Sequence, residues 1–565
     1  MTISICVAQL NFVVGDMAGN ARQIITAAQQ AHARGVRLLL TPELALCGYP
    51  AQDLLLRPAF IDACDDALKT VAHETAGLKG LYLVVGHPVR SALPACAQEE
   101  GWRRTQPVLH NAASVLFEGR LLQRCHKREL PNDQVFDERR YFVPGENSAV
   151  FDLEAAPGER VRLGLLICED AWHEAPVRAA LAAGAELLLV INASPFHAGK
   201  GGERERIMRA RVRATGLPLI YAHLVGGQDE LVFDGRSFVL AADGALAGRA
   251  PSFEPALFDC RLSRQGPGWQ IDAHTAPEHD PQTELWHALV LGLRDYVQKN
   301  GFSSTLLGLS GGIDSALVLA LAVDALGRER VRAVMMPSPY TAAISCSDAR
   351  EMAARLGVRY DEIDIAPLFA VFKAALAPLF AACAEDSTEE NLQARIRGTL
   401  LMALSNKLGG LVLTTGNKSE LATGYCTLYG DMAGGFAVIK DLAKTEVFRL
   451  ARWRNAHNPC GGVATPIPER IISRAPSAEL RHNQTDQDSL PDYAVLDAIV
   501  ERYMQDDQSP ASIVAAGLDR AAVEQVVRLL HGSEYKRQQA PLGIRLTHRS
   551  FGKDWRYPVT SKYLS

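Results

Sequence analysis

The sequence predicts an α/β protein made of two successive layered domains. Three observations carry that expectation. At 565 residues the chain is too long for a single core. Short runs rich in Val, Ile and Leu alternate with longer helical patterns through both halves. Most of those runs lack the apolar–polar alternation of half-exposed strands, as strands covered on both faces do.

In the first half, "ISICVAQL", "VRLLLT", "LYLVVG", "VRLGLLIC", "ELLLVI" and "LPLIYAHL" read as strands. Between them, "NARQIITAAQQAHARG" reads as a helix from an Asn20 N-cap to a terminal Gly35, and "VRAALAAG" as a shorter one. The polar, Gly- and Pro-rich "SRQGPGWQIDAHTAPEHDPQ" reads as a linker, residues 263–282, which divides the chain into domains 1–262 and 283–565. "TELWHALVLGLRDYVQKNG" is then a helix ending at Gly301. The strands "STLLGLS", "VRAVMMP", "VRYDEIDI" and "GLVLTTG" follow with helices between them, the pattern of a doubly wound parallel sheet. From about residue 465 the chain is richer in polar residues and Pro.

Composition excludes several classes. A formal net charge of -5 with 22% charged residues gives no clustered basic excess for a nucleic-acid partner. Arg-rich "RERIMRARVR" reads as a solvated helix face. No apolar run reaches membrane-spanning length, and "ALVLALAVDAL" is short and carries an aspartate, so no membrane partner is expected. "MTISICVAQLNF" lacks the basic start and apolar core of a signal peptide. Eleven dispersed cysteines, with no CxxC and no His at zinc spacing, suggest a reducing compartment and hence the cytoplasm.

The second half opens on "LGLSGGIDSALVLA", where a strand meets a helix through Gly311 and Gly312. Glycine permits a tight turn and close approach of a ligand to the backbone. Free N–H groups and the positive end of the helix dipole then favour an anion, with Ser310 and Ser315 adding hydroxyl donors. Asp314 would repel bare phosphates and makes sense with Mg²⁺ between. The run has neither the GK[ST] ending of a Walker A loop nor GxGxxG spacing, and on turn chemistry alone a purely packing role stays open. The SGG-I-DS pattern resembles the pyrophosphatase loop of ATP enzymes that cleave between the α- and β-phosphates. That resemblance implies an ATP site at Gly308, Leu309, Ser310, Gly311, Gly312, Ile313, Asp314 and Ser315.

In the first half, "VRLGLLICEDAWHEAP" ends a strand at Cys168, beside Glu169 and Asp170. A cysteine in an apolar strand is usually packing, but this one stands at a strand end, where a pocket opens. A thiol nucleophile needs a base and a cation to favour its thiolate. Glu43 in "LLLTPELALCGYP" and Lys127 in "RCHKRELPNDQVFDERRYF" supply those types. The order Glu–Lys–Cys in these contexts resembles the carbon–nitrogen hydrolase, or nitrilase, family over most of residues 1–260. The resemblance implies an αββα sandwich with Glu43 as general base, Lys127 at the oxyanion and Cys168 as nucleophile. Glu138 in "FDERRYF" would be a second carboxylate. Ser194 and Lys200 match glutamine-binding positions, while Asp133 stands where a tyrosine is expected.

Taken whole, the chain resembles the bacterial glutamine-dependent NAD synthetases. Beyond the loop, "TEENLQARIRG", "LTTGNKSELATGYCTLYGDMAGGFAVIKDLAKTEVFRL" and "PERIISRAPSAEL" carry the match. It implies a Rossmann-like synthetase domain of the adenine nucleotide α-hydrolase type, in which Thr415 and Lys444 contact ATP. Asn391, Glu420, Asp431 and Lys536 would contact deamido-NAD, and Asp314 and Glu420 would share Mg²⁺. Leu428 stands where ammonia-using relatives often have lysine. The implied activity is the last step of NAD biosynthesis: glutamine is hydrolysed and its ammonia amidates a deamido-NAD adenylate. The implied assembly is a homo-oligomer with a dimeric synthetase core that can build to an octamer. An amidotransferase for another adenylated acceptor, such as a purine nucleotide, shares both halves and stays open on sequence. A binding protein without chemistry is argued against by the intact Glu43, Lys127, Cys168 and Asp314.

Overall fold

The computed structural model describes residues 1–91, 109–147, 149–266, 268–482 and 484–563. The chain divides into two compact units, Met1–His279 and Asp280–Ser565.

The first unit is built on two large sheets. One has seven strands in the spatial order 268–273, 256–265, 2–9, 38–40, 82–90, 109–117, 120–126. The other has six, in the order 246–249, 238–240, 219–223, 187–192, 159–167, 149–156. Period-two geometry sends successive side chains to opposite faces. Ile3, Ile5 and Val7 therefore pack with Leu163, Leu165, Leu189 and Ile191 in a core between the sheets. Cys6 and Ala8, from the same first strand, face instead the helices Met17–Ala33 and Pro58–Thr75. On the outer face of the second sheet, Leu166 and Val190 pack on Val177 of helix Glu174–Ala182 and on Met208 and Val212 of helix Lys200–Thr215. The layers run helix, sheet, sheet, helix, the expected αββα sandwich.

The second unit holds a five-stranded sheet in the order 359–362, 331–335, 305–308, 411–414, 436–437, with every pairing parallel. Strand order reverses between Thr305–Gly308 and Leu411–Thr414, and in such sheets ligands bind beyond the strand ends at that switch point. The tail adds helices Tyr493–Met504, Pro510–Ala515 and Arg520–Gly532 around their own apolar cluster, with Leu496, Val523, Val526 and Trp555 at its centre.

Three local expectations differ. The first helix begins at Met17 rather than after Asn20, capped by Asp16, whose Oδ1 accepts from Gly19 N at 2.8 Å. The buried Asn20 amide is used instead to join Val13 and Leu46. The stretch 263–282 does not run as a linker throughout. Residues 263–265 complete strand Ala256–Gln265, Gly268–Ala273 pairs with that strand as a hairpin, and Pro281 already opens the helix Pro281–Lys299. Gly266 and Gly268, at the hairpin turn, supplied glycines that suggested a linker. The antiparallel strands Leu109–Phe117 and Arg120–His126 were not foreseen, since polar residues interrupt their apolar run.

Candidate active sites

In the first unit, four chain segments bring Glu43, Lys127, Glu138 and Cys168 together. Glu43 lies in the turn after strand Leu38–Leu40 and is buried. That turn crosses the strand Tyr82–Arg90 at Gly86, where an added Cβ would meet Pro42 O at 2.4 Å and Leu44 N at 2.6 Å. Lys127 follows strand Arg120–His126 and is 0% exposed. Its Nζ donates to Glu43 Oε1 at 2.7 Å and to Glu138 Oε1 at 2.8 Å. Asn111 Nδ2 donates to the same Glu43 oxygen at 2.7 Å, and the Tyr49 hydroxyl donates to Glu138 at 3.1 Å. Burial pushes the Glu138 carboxyl up to about 7 against the pull of Lys127. Lys127 is held above the usual lysine range: burial opposes its charge, but Glu138 and Glu43 outweigh burial.

Cys168 stands immediately after strand Glu159–Ile167 with φ +48, a left-handed conformation unusual for a non-glycine residue and costly unless its surroundings hold it. Asp170 holds it. Oδ2 accepts from Ile167 N at 3.1 Å, and Oδ1 accepts from Arg128 N and Glu129 N, each at 2.8 Å. One carboxylate thereby ties the cysteine turn to the lysine turn. Burial and Glu43 raise the Cys168 thiol while Lys127 lowers it, so the resting group is a thiol that needs a base. Glu43 Oε2 is buried with no hydrogen-bond partner, an oxygen available to accept that proton.

Ser194 is buried beside Asn192, with Asn192 Nδ2 and Ser194 Oγ 3.1 Å apart. Lys200 opens the helix Lys200–Thr215; its ammonium sits 4.2 Å above the Trp172 ring and donates to Glu203 at 3.0 Å. Burial lowers its pKa. Asp133 lies on an exposed turn between Lys127 and Glu138. Sequence reasoning missed Asn111, Tyr49 and Asp170. Only Asp170 left a signal, as the carboxylate two residues after the nucleophile.

In the second unit, the turn after strand Thr305–Gly308 opens into helix Ile313–Leu326. Gly311 has φ +80, and a Cβ there would lie 2.3 Å from Ser345 O. Ser310 N donates to Ser315 Oγ at 3.2 Å and Ser315 Oγ donates to Gly312 O at 3.0 Å, which fixes the loop as a hydroxyl-lined turn. Asp314 Oδ2 accepts from Lys444 Nζ at 2.6 Å and its Oδ1 from Asn417 Nδ2 at 2.9 Å. The same ammonium reaches Glu420 Oε1 at 3.3 Å. Asn417 also caps helix Lys418–Thr423 through Glu420 N, so one residue sets both carboxylates. Burial pushes Glu420 up to about 8; Lys444 opposes this and Asp314 adds to it.

A cavity of about 670 Å³ opens over this loop, lined by Gly308, Leu309, Ser310, Gly312, Ile313, Asp314, Ser315, Thr415, Glu420 and Lys444. Asn391, Asp431 and Lys536 line it too. Thr427 joins two of these, its hydroxyl donating to Asn391 Oδ1 at 2.7 Å and its N–H to Asp431 Oδ1 at 2.8 Å. Burial raises Asp431 to about 6. Lys536 Nζ donates to Gly424 O and Cys426 O, each at 2.8 Å. Leu428 gives its carbonyl to Arg395 Nε at 3.2 Å. The expected synthetase residues other than Gly311 and Leu428 thus face one cavity. Sequence reasoning missed Asn417 and Thr427.

Fold and sites together define a two-unit enzyme, one unit for breaking a carbon–nitrogen bond and one for nucleotide-driven ligation. The family model for carbon–nitrogen hydrolases matches residues 4–265 and that for NAD synthases matches residues 285–540. The chain is 48% identical over 567 residues to the glutamine-dependent NAD(+) synthetase of Rhodobacter capsulatus, covering 99% of this chain and 98% of that protein. It is 48% identical over 570 residues to that of Xanthomonas campestris pv. campestris, covering 100% and 98%. A solved structure of the Acinetobacter baumannii glutamine-dependent NAD+ synthetase in complex with adenosine diphosphate is similar with a TM-score of 0.77. It is 41% identical and covers 99% of this chain and 98% of its own. The chain belongs to the glutamine-dependent NAD(+) synthetase family. Among the described residues no helix is long and apolar enough to cross a membrane.

Proposed function

We propose that this chain makes NAD from deamido-NAD, ATP and glutamine, in two chemically separate steps. In residues 1–262, Glu43 removes the Cys168 proton and the thiolate attacks the glutamine side-chain amide. Lys127 stabilises the oxyanion, ammonia leaves, and water activated by Glu43 releases glutamate from the thioester. Ser194 and Lys200 hold the glutamine, Lys200 as the cation for its α-carboxylate. In residues 283–565 the nicotinate carboxylate attacks the α-phosphorus of ATP over the 308–315 loop. Pyrophosphate leaves with its growing charge facing Lys444, and ammonia then displaces AMP. Thr415 serves the ATP side of the cavity; Asn391, Asp431 and Lys536 serve the dinucleotide.

The single observation that carries the synthetase reading is the Asp314–Lys444–Glu420 cluster at the mouth of the glycine loop. Two carboxylates already share one cation there. Among the described residues no group of three or more His, Cys, Asp or Glu could hold a metal alone. A pair of carboxylates suits Mg²⁺, which takes its remaining ligands from phosphate oxygens and water. When bound between Asp314 and Glu420, Mg²⁺ would draw charge off the departing pyrophosphate.

Self-association fits one surface of the second unit. Helix Ala366–Phe380 is strongly apolar, yet Leu379 is 77% exposed and Val371 68%, with Phe372 and Leu368 exposed beside them. A soluble monomer rarely leaves such a patch uncovered, and a second copy of this face would cover it.

The test is NAD formation from deamido-NAD and ATP, with glutamine and with ammonium salts in separate reactions. Synthesis from both nitrogen sources is expected. Pyrophosphate release with xanthylate and none with deamido-NAD would overturn the acceptor assignment.

A further inference from the structure

Asp486 is a carboxylate of the synthetase cavity to which the roles above assign nothing. Asp486 lines the cavity and is 4% exposed. Its Oδ2 accepts from the Tyr493 hydroxyl at 2.8 Å. Its Oδ1 is fully buried and meets no hydrogen-bond donor. An unmet buried acceptor costs about 1–3 kcal/mol, so such an oxygen in a ligand cavity points to a donor that arrives with the ligand.

The neighbourhood narrows the donor. Six carboxylates line this cavity: Asp314, Glu390, Glu420, Asp431, Glu479 and Asp486. The first five are occupied. Asp314 and Glu420 face Lys444, Glu390 faces Arg481 and Gln484, each at 3.4 Å, Asp431 accepts from Thr427 N, and Glu479 accepts from Ser345 Oγ at 2.6 Å and Ala342 N at 3.2 Å. Asp486 is the one with a fully buried unmet oxygen. The nitrogen nucleophile brings several N–H donors, carries positive charge when protonated, and is the one reactant that must shed a proton as it reacts. Position agrees. Tyr493, which donates to Asp486, lies with its ring 5.3 Å from Lys444 Nζ, so Asp486 is one phenol away from the cluster at the glycine loop. Tyr425 stands in the same neighbourhood; burial and the charge of Asp486 raise its pKa, which keeps it a hydroxyl.

We propose that Asp486 receives the ammonia used for amidation and takes its proton. This rests on the amidation proposed above. Ammonia's lone pair forms the C–N bond at the carboxyl carbon of the adenylate. The bond from that carbon to the AMP oxygen breaks, and its electron pair leaves on AMP. One N–H proton passes to Asp486 Oδ1. Nitrogen that arrives as ammonium first gives its extra proton to the cavity's carboxylates, a transfer the shared negative charge of this wall favours.

The experiment uses the full chain with saturating ATP and deamido-NAD, and titrates ammonium chloride into wild type and Asp486→Asn. Two readouts are taken: NAD formation, and deamido-NAD-dependent exchange of labelled pyrophosphate into ATP, which reports adenylation alone. Ammonium-driven NAD formation is expected to fall about 10²-fold in the variant, the contribution of a positioned general base, while exchange stays within about twofold. Undiminished NAD formation would overturn the proposal. So would a parallel loss of exchange in a folded variant, which would make Asp486 a dinucleotide contact. Tyr493→Phe keeps the carboxylate and removes its orienting donor, and decides the matter if Asp486→Asn does not fold. Its ammonium KM should rise about tenfold with exchange unchanged, and an unchanged KM would overturn the proposal. A wild-type chain that neither makes NAD nor exchanges pyrophosphate refutes the amidation itself, a result separate from any behaviour of the variants.

Discussion

Replacing Lys127 by Met tests the glutaminase site at its most heavily charged point. Lys127 Nζ lies 2.7 Å from Glu43 and 2.8 Å from Glu138, and lysine and both carboxylates are almost wholly buried. The two carboxylate oxygens are therefore no more than about 5.5 Å apart. Without the ammonium, two like charges at that distance repel by about 3 kcal/mol at an effective dielectric near 20. Breaking a buried ion pair by removing one partner costs about 3–5 kcal/mol. The variant avoids part of this by keeping Glu138 protonated, a group already pushed to about 7. The sign follows: a carboxyl whose folded pKa exceeds its unfolded value binds more protons folded, so its contribution to stability falls as pH rises. Lys127→Met should therefore unfold earlier at pH 8, by about 3 kcal/mol in the 1–279 unit, and recover part of that at pH 5.5. Glu138→Gln in the same background should restore part of the loss at pH 8. Calorimetry with the synthetase transition followed separately measures this, and glutamate release should fall at least about 10²-fold through loss of the oxyanion partner. A variant as stable as wild type at pH 8, or one still hydrolysing glutamine, would refute the reasoning.

Other outcomes follow from the same geometry. Cys168→Ala should abolish glutamate release and glutamine-driven NAD synthesis while synthesis from ammonium salts continues, since the two sites lie in separate units; loss of both in a folded variant would contradict that. Asp314→Asn should remove synthesis from either nitrogen source, read as NAD formed, because Lys444 and the proposed Mg²⁺ site both depend on it. Gly311→Ala places a Cβ 2.3 Å from Ser345 O at φ +80, so ATP binding measured by calorimetry should weaken by at least about 1–3 kcal/mol. Leu379→Glu, on the exposed apolar helix, should lower the molar mass seen in sedimentation, and an unchanged mass would remove that face as an interface.

Much of this was legible in the sequence for a physical reason. Strands covered on both faces must be apolar throughout, so "ELLLVI" and "LPLIYAHL" stand out and coincide with strands Leu187–Asn192 and Leu219–His223. The glycine loop was legible because its turn demands glycine; Gly311 holds a positive φ against Ser345. What escaped is what tertiary contacts decide. Asp16 and Asn20 are both good N-caps, and only the demand of Val13 and Leu46 for the Asn20 amide selects Asp16. Strand Gly268–Ala273 buries little, so its pattern is nearly that of a loop. Asn111 is a single polar residue whose importance appears only when the chain brings the Glu43 carboxylate to it, and the position of Asp170 beside the nucleophile hints at a role that only the distant Arg128 and Glu129 backbone defines. Asp486 is visible only as an oxygen with no partner.

The central claim is that the loop at residues 308–315 presents the inner phosphorus of ATP to a carboxylate. Chromatographic separation of the nucleotides formed from ATP, deamido-NAD and glutamine tests it directly. AMP and pyrophosphate should each appear in equal amount with NAD. ADP and orthophosphate in their place would contradict the account.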